Sequence, residues 1–247
     1  MVSYIKKNRF FKIGINWFEY DKAQKNNLLF NAYFHVKSNN GARVPGIRKD
    51  AYTIEIDLTE PEDTIFSKFA KQVRQQYRIT EKENINCYFH KDTKRFVDFF
   101  NDFALKRNTY PTSIERIEEM GENLILSFAE RDGQLLVAHS YLTDPKMGIV
   151  RFNHSATTRL EDNTDKNLVG RVNKYMVVKS MFYFKAQGYK IFDMGGYAMH
   201  TTDAGLAGIN KFKEQFGSNI VTCANYYSYS YWFLKKLSGI LGVKSDA

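Results

Sequence analysis

The sequence has 247 residues, 43% apolar and 26% charged, the proportions of an ordinary globular protein, which excludes a disordered or collagen-like chain. Thirty-six Lys and Arg against 27 Asp and Glu give a net charge of +9, which favours anionic partners: nucleic acid, an acidic carrier protein, a phosphorylated ligand or a membrane surface. Zinc-finger spacing, basic-region heptads and RNP-type signatures are missing, so specific reading of DNA is not expected. Cys87 and Cys223 supply neither a disulfide framework nor a four-ligand zinc site, and no metal is expected. No apolar run approaches the roughly 20 residues of a membrane-spanning helix. Met1 to Phe18, with Lys6, Lys7, Arg9 and Lys12, lacks the core of a signal peptide. The expectation is a cytoplasmic globular protein.

In chain order, Leu28 to Val36 reads as a strand, and Lys37 to Asp50, with Asn39-Asn40-Gly41 and Pro45-Gly46, as turns. Tyr52 to Leu58 alternates apolar and polar side chains, as a half-buried strand should. Thr59 and Glu62 have capping-box spacing around Pro61 and predict a helix to about Lys82, with Ile65, Phe69, Val73 and Tyr77 in one stripe. A second helix, Thr93 to Asn108, would bury Phe96, Phe99, Phe100 and Phe103. Leu124 to Ala129 and Gln134 to Leu142 form a hairpin about Arg131-Asp132-Gly133. Asp144 to Gly148 is a turn, and Ile149 to His154 a third antiparallel strand. A polar loop, Thr157 to Asn167, precedes the longest helical pattern, Leu168 to Gln187, with Gly188 at the left-handed cap position. Tyr189 to Met194 is a short buried strand ending in Gly195-Gly196. A helix near Leu206 to Gln215 follows, and Ile220 to Leu237 closes the chain as strand plus helix. The order is α+β, without strict βαβ alternation.

From Lys166 to Lys190 there are six basic residues and no acid. On the long helix Leu168, Val172, Tyr175, Met176, Tyr183 and Ala186 share one face, and Arg171, Lys174 and Lys185 another. Lys179 falls on the apolar face, as a snorkelling stem or, less favoured, as a buried ligand-facing charge. Gly170, Arg171 and Asn173 in the first turn would offer a phosphate free amides and a guanidinium; on composition alone a plain amphipathic helix with a solvated basic side is the favoured reading.

The meander ending Val150-Arg151-Phe152-Asn153-His154, the long helix, the strand Tyr189-Lys190-Ile191-Phe192-Asp193-Met194-Gly195-Gly196 and the segment Ile209-Asn210-Lys211-Phe212-Lys213-Glu214-Gln215-Phe216-Gly217 resemble the Fem-type, peptidoglycan-bridge branch of the GNAT acyltransferase superfamily. Asp57-Leu58-Thr59 and the basic run Lys71 to Arg78 add to the resemblance, which covers about Thr53 to Asn225. It implies a mixed, mostly antiparallel twisted sheet flanked by helices. The whole chain would be one acyltransferase domain, with an N-terminal strand-and-helix half, 1–110, and a GNAT-like core, 111–247. The usual Arg/Gln-x-x-Gly-x-Gly/Ala pyrophosphate loop is reduced to Asn167-Leu168-Val169-Gly170-Arg171-Val172. The implied donor is acyl-CoA, with acyl-carrier protein or aminoacyl-tRNA as alternatives. The implied acceptor is an amine, such as a nucleotide-linked amino sugar or an amino acid used in cell-envelope or polysaccharide assembly.

Acyl transfer needs a neutral amine, a polarised carbonyl and a protonated leaving group. The resemblance assigns the carbonyl's contacts to the strand holding Phe152, Ser155 and Ala156, while Gly170, Arg171, Asn173 and Lys174, at the start of the long helix, are the residues expected to bind the donor's phosphates. A base of near-neutral pKa is wanted; His154 is the first choice and Asp193 the second, and His139 is a relay or a core residue. Gly195, Gly196 and Tyr197 fall on the acceptor side. Lys211 and Lys213, two apart, cannot both face inward: one would meet an anionic acceptor and the other solvent. Tyr226, Tyr227, Tyr229, Tyr231, Trp232 and Phe233, followed by Lys235 and Lys236, line a core, stack a sugar or touch the inner face of a membrane. The rival to an enzyme is a non-catalytic RNA- or carrier-binding module.

Overall fold

A computed structural model describes residues 1–7, 11–23, 28–38 and 41–240. Arg9 and the Asn39-Asn40 part of the expected turn lie outside the described residues. The chain divides into two compact units, one of residues 1–52, 119–121 and 222–247 and the other of 53–118 and 122–221.

In the first unit β1 (Val2–Lys7) pairs antiparallel with β2 (Lys12–Glu19), and β2 runs parallel to β3 (Phe30–Ser38). The last strand among the described residues, β10 (Ile220–Tyr227), pairs antiparallel with β3 and leads into α7 (Tyr229–Ile240). Ile13, Ile15, Ala32 and Tyr227 form a core against which Trp17, Phe34, Tyr231 and Trp232 pack. The Pro45-Gly46 turn holds: Gly46 has φ +130°, and a Cβ there would lie 2.3 Å from the Tyr227 carbonyl oxygen. The strand β4 (Ile47–Asp57) starts earlier than its alternation indicates and takes over residues 47–50, expected as turn.

The second unit begins with the remainder of β4, from Thr53, where Ile54 and Ile56 point inward and Asp57 outward. The single helix expected from Thr59 to Lys82 is two, α1 (Glu62–Lys68) and α2 (Lys71–Thr80). Phe69 and Ala70 are extended between them (ψ 150° and 144°), and the Ala70 amide donates to the Gln215 carbonyl at 2.8 Å. Arg74 Nη1 donates to the open carbonyls of Ser67 and Phe69. No capping box forms; Thr59 Oγ1 bonds Asp57 at 2.7 Å instead. The short strand β5 (Asn86–Phe89) leads to α3 (Thr93–Lys106), capped by Asp92, then α4 (Ile114–Glu118). The meander β6 (Leu124–Arg131), β7 (Gln134–Asp144) and β8 (Ile149–Thr157) follows as expected, with Asp132 and Gly133 both at positive φ in the two-residue turn. Then come α5 (Lys166–Ala186), β9 (Ile191–Gly196) and α6 (Ala204–Glu214). Gly188 ends α5 at φ +86°, with Tyr189 N–H donating to the Phe184 carbonyl at 3.1 Å.

This sheet runs β4-β9-β8-β7-β6-β5, antiparallel throughout except for the parallel pair β8 and β9. Val73 of α2 and Val177, Val178, Met181 and Phe184 of α5 close one face over Ile54, Tyr141, Phe152, Phe192 and Met194. On the other face α3 brings Phe96 and Phe100 to β8. The expected apolar stripe of α5 is broader than its sequence pattern, because Val177, Val178 and Phe184 are buried whereas Ala186 is exposed. Lys179 is exposed, its ammonium 5.8 Å from the Tyr175 ring centre, so it is the snorkelling stem. Lys185, expected on a polar face, donates to the Leu58 carbonyl at 2.7 Å.

Candidate functional site

The parallel pairing of β8 and β9 stops at Arg151 opposite Asp193. Beyond that point β8 continues with β7, and β9 with β4, where Thr53 faces Gly196. A bulge between the Ser140–His154 and Tyr141–Phe152 pairs makes Asn153 the extra residue of β8 just past the parting.

A buried polar cluster fills the parting. Asp193 is fully buried, and its Oδ1 accepts hydrogen bonds from Thr53 Oγ1 at 2.5 Å, from the Gly195 amide at 2.8 Å and from Arg151 Nη1 at 3.1 Å. Gly195 has φ +81°, and a Cβ there would lie 2.8 Å from the Phe152 carbonyl oxygen. Lys213, from α6, is buried and donates through Nζ to the Gly196 carbonyl. Desolvation and the nearby Arg151 pull its pKa down to about 8, with Asp193 opposing. Lys211, two residues earlier, is exposed, as their spacing required. Asn210 grips the loop after β9, accepting from the Ala198 amide at 3.1 Å and donating to the Ala198 carbonyl at 2.8 Å. Tyr197 hydroxyl donates to Glu214 at 2.6 Å.

The two strand histidines face opposite sides of the sheet. His139, fully buried, has Nε2 2.8 Å from Asn173 Oδ1 of α5 and Nδ1 3.1 Å from the Tyr141 hydroxyl, which also meets Ser180 at 2.6 Å. With Nε2–H donating, Nδ1 accepts, and both nitrogens are engaged in the core. His154 lies on the α3 face between Phe96 and Phe100. Ser140 Oγ stands 2.7 Å and Asn153 Nδ2 3.2 Å from its Nδ1, which therefore accepts and leaves the ring proton on Nε2. Burial lowers both histidines to about pKa 4; at His154 the charges of Arg116 and Arg151 add to it. That is well below the near-neutral value wanted of a base.

The expected phosphate cradle is placed differently. Because α5 starts at Lys166, Gly170, Arg171 and Asn173 lie beyond its first turn. The first-turn amides of Asn167 and Leu168 donate to Asp165 Oδ1 at 2.9 and 3.1 Å. Arg171 pairs with Glu83 at 2.6 Å, and Asn173 is held by His139. Lys174 is part-buried, its pKa lowered by desolvation and by Arg159, whose guanidinium carbon is 4.0 Å from a Cβ built on Gly170. Phe152 and Ala156 are buried and Ser155 half-buried opposite His139. Cys87 is part-buried with its thiol pushed up to about 12 by desolvation, unsuited to nucleophilic work. Among the described residues no cluster of three or more His, Cys, Asp or Glu could hold a metal.

The sequence assigns site roles to Asp193, Gly195, Gly196 and Lys213; Arg151 and Asn210 stand in its motifs without a role, and Thr53 has none. Arg151 stands in a strand of apolar residues, where a buried charge requires a partner, and that was the available signal.

No family model matches the sequence, and no curated protein matches it. Solved structures do match in shape. The structure of FemX superposes with a TM-score of 0.63 at 11% identity, covering 94% of this chain and 85% of that one. The C-terminal domain of a protein described as a lysylphosphatidylglycerol synthetase from Agrobacterium fabrum gives 0.59 at 10% identity, covering 99% and 87%. L-PGS from Bacillus licheniformis gives 0.56 at 10%, covering 98% and 84%. The chain thus has the GNAT-like fold in the Fem-like form that its strand and glycine motifs resemble.

Proposed function

We propose that the chain is an acyl- or aminoacyltransferase, moving its group from an activated thioester or ester onto an amine. The observation that carries this reading is the buried cluster where β8 and β9 part, in which Asp193 anchors Arg151 and the Gly195 turn beside Lys213. The fold shared with FemX and with proteins named for lysylphosphatidylglycerol synthesis supports it.

In the proposed step the acceptor nitrogen attacks the donor carbonyl carbon, and the carbonyl electron pair moves onto oxygen. Its return breaks the C–S or C–O bond once the C–N bond has formed. The proton lost by the amine goes to the leaving group through solvent. Lys213 as an ammonium has three donors, of which Gly196 takes one, so it and Arg151 stabilise the oxygen's developing charge. Asp193 is a positioning residue, and His154 contributes a neutral ring. Phe152, Ser155 and Ala156 border the donor, and Gly195, Gly196 and Tyr197 the acceptor. Arg159 and Lys174, beside Gly170, are the cations offered to the donor's phosphates. Acyl-CoA is the first donor and an amino sugar or amino acid of envelope assembly the acceptor, with 1–247 acting as one acyltransferase domain.

The Asp165 cap favours a second donor, an aminoacyl ester, because a coenzyme A diphosphate approaching the first turn of α5 would meet that carboxylate. Mass-detected transfer to amino sugars and amino acids, with acyl-CoAs and charged tRNA as donors, separates these readings. Amide formation with thiol release supports acyl-CoA; product from charged tRNA alone supports the second. No product from any donor, with steeply salt-dependent RNA binding, leaves a non-catalytic binding module.

A further inference from the structure

The helix α7 carries an apolar stripe that the first unit does not cover. Tyr229, Phe233 and Leu237, four residues apart and so on one helical face, are 64%, 64% and 40% exposed. Leu29, 69% exposed, sits at the start of the stripe, its carbonyl accepting from the hydroxyls of Ser228 and Ser230. The opposite side of α7 is anchored, with Tyr231 and Trp232 packed on the unit's core. Beside the stripe, the ammonium groups of the exposed Lys49 and Lys236 lie 5.1 and 5.8 Å from the Trp232 ring centre. α7 contains no acidic residue.

We propose that this face docks on an anionic lipid surface, with Tyr229, Phe233 and Leu237 entering the headgroup–acyl boundary and Lys49 and Lys236 meeting lipid phosphates. Aromatic and leucine side chains bordered by lysines suit that boundary, where rings sit at headgroup depth. A second copy of this chain is a poorer occupant. A two-fold contact through the stripe sets lysine against lysine, and a few side chains fall far short of the roughly 800 Å² per partner of a stable interface.

The test is sedimentation of the full chain with phosphatidylcholine vesicles, with and without one-third phosphatidylglycerol, at low and high salt. Binding is expected only with the anionic lipid, weakening with salt. Phe233→Ser with Leu237→Ser should lower the partition coefficient by about tenfold or more, and Lys49→Gln and Lys236→Gln by about fivefold each. Leu105→Ser, at an apolar residue of α3 that is 81% exposed, should leave it unaltered. Equal binding by the Phe233/Leu237 variant, or equal binding to neutral vesicles, overturns the proposal. So does a concentration-dependent dimer that Phe233→Ser abolishes in a protein that ignores vesicles.

Discussion

Lys213 holds an ammonium in a place poor in water and beside a guanidinium, which is why its pKa falls to about 8. Since the proposed chemistry uses the protonated form, kcat/KM should fall as pH rises through about 8. Lys213→Met should lower kcat by about a hundredfold or more and abolish that limb. An unfolded lysine keeps its proton to about pH 10.4, so between there and about 8 the unfolded state binds more protons and stability rises with pH. At neutral pH the buried ammonium is a cost, and thermal denaturation of Lys213→Met should show an unchanged or higher Tm. A Tm that drops along with activity would make Lys213 a structural residue only. Asp193→Asn strands Arg151 and Lys213 and should cost about 3–5 kcal/mol of stability in urea titration. His139 shows the same linkage with a different window. Folded, it protonates at about 4; unfolded, at about 6.5, so its contribution is whole above pH 6.5 and is lost as pH falls to about 4. The loss is up to about 3 kcal/mol, and His139→Gln should flatten that part of the stability–pH curve.

Elements with strong local signals were legible: the Asp132-Gly133 hairpin, the Gly188 cap and the alternation of Ile54 and Ile56 each follow from a few neighbouring residues. Asp92→Ala, which removes the side chain capping α3, should accordingly cost about 1 kcal/mol by thermal melt without altering the sheet. Where the reading differed, a distant partner intervened. The stripe Ile65, Phe69, Val73 and Tyr77 runs at helical spacing across a break made by the Ala70–Gln215 hydrogen bond, over a hundred residues apart in sequence. The strands β1 and β2 went unread because Met1 to Phe18 shows its alternation only briefly, at Ile13, Ile15 and Trp17. At four residues, β5 is too short to carry a period at all.

At the scale of the whole molecule, the excess of positive charge is a statement about partners, and Lys49 and Lys236 beside the exposed stripe of α7 give it one address. Among the described residues no helix is long and apolar enough to cross a membrane. If the donor or acceptor is anionic, raising ionic strength should raise KM with little change in kcat, since screening acts on encounter more than on a water-poor cluster. The α+β order, the meander, the long helix and the glycine turn after Asp193 are legible in the residues alone, because periodicity, caps and turn residues act over a few neighbours. The assembled fold parts β8 and β9 at Arg151 and Asp193. It alone turned His139 and His154 to opposite faces and brought Thr53 and Lys213, 160 residues apart, to one buried carboxylate and its turn. Strand pairing and the exclusion of water are set by long-range packing, and with them the charges a site can hold.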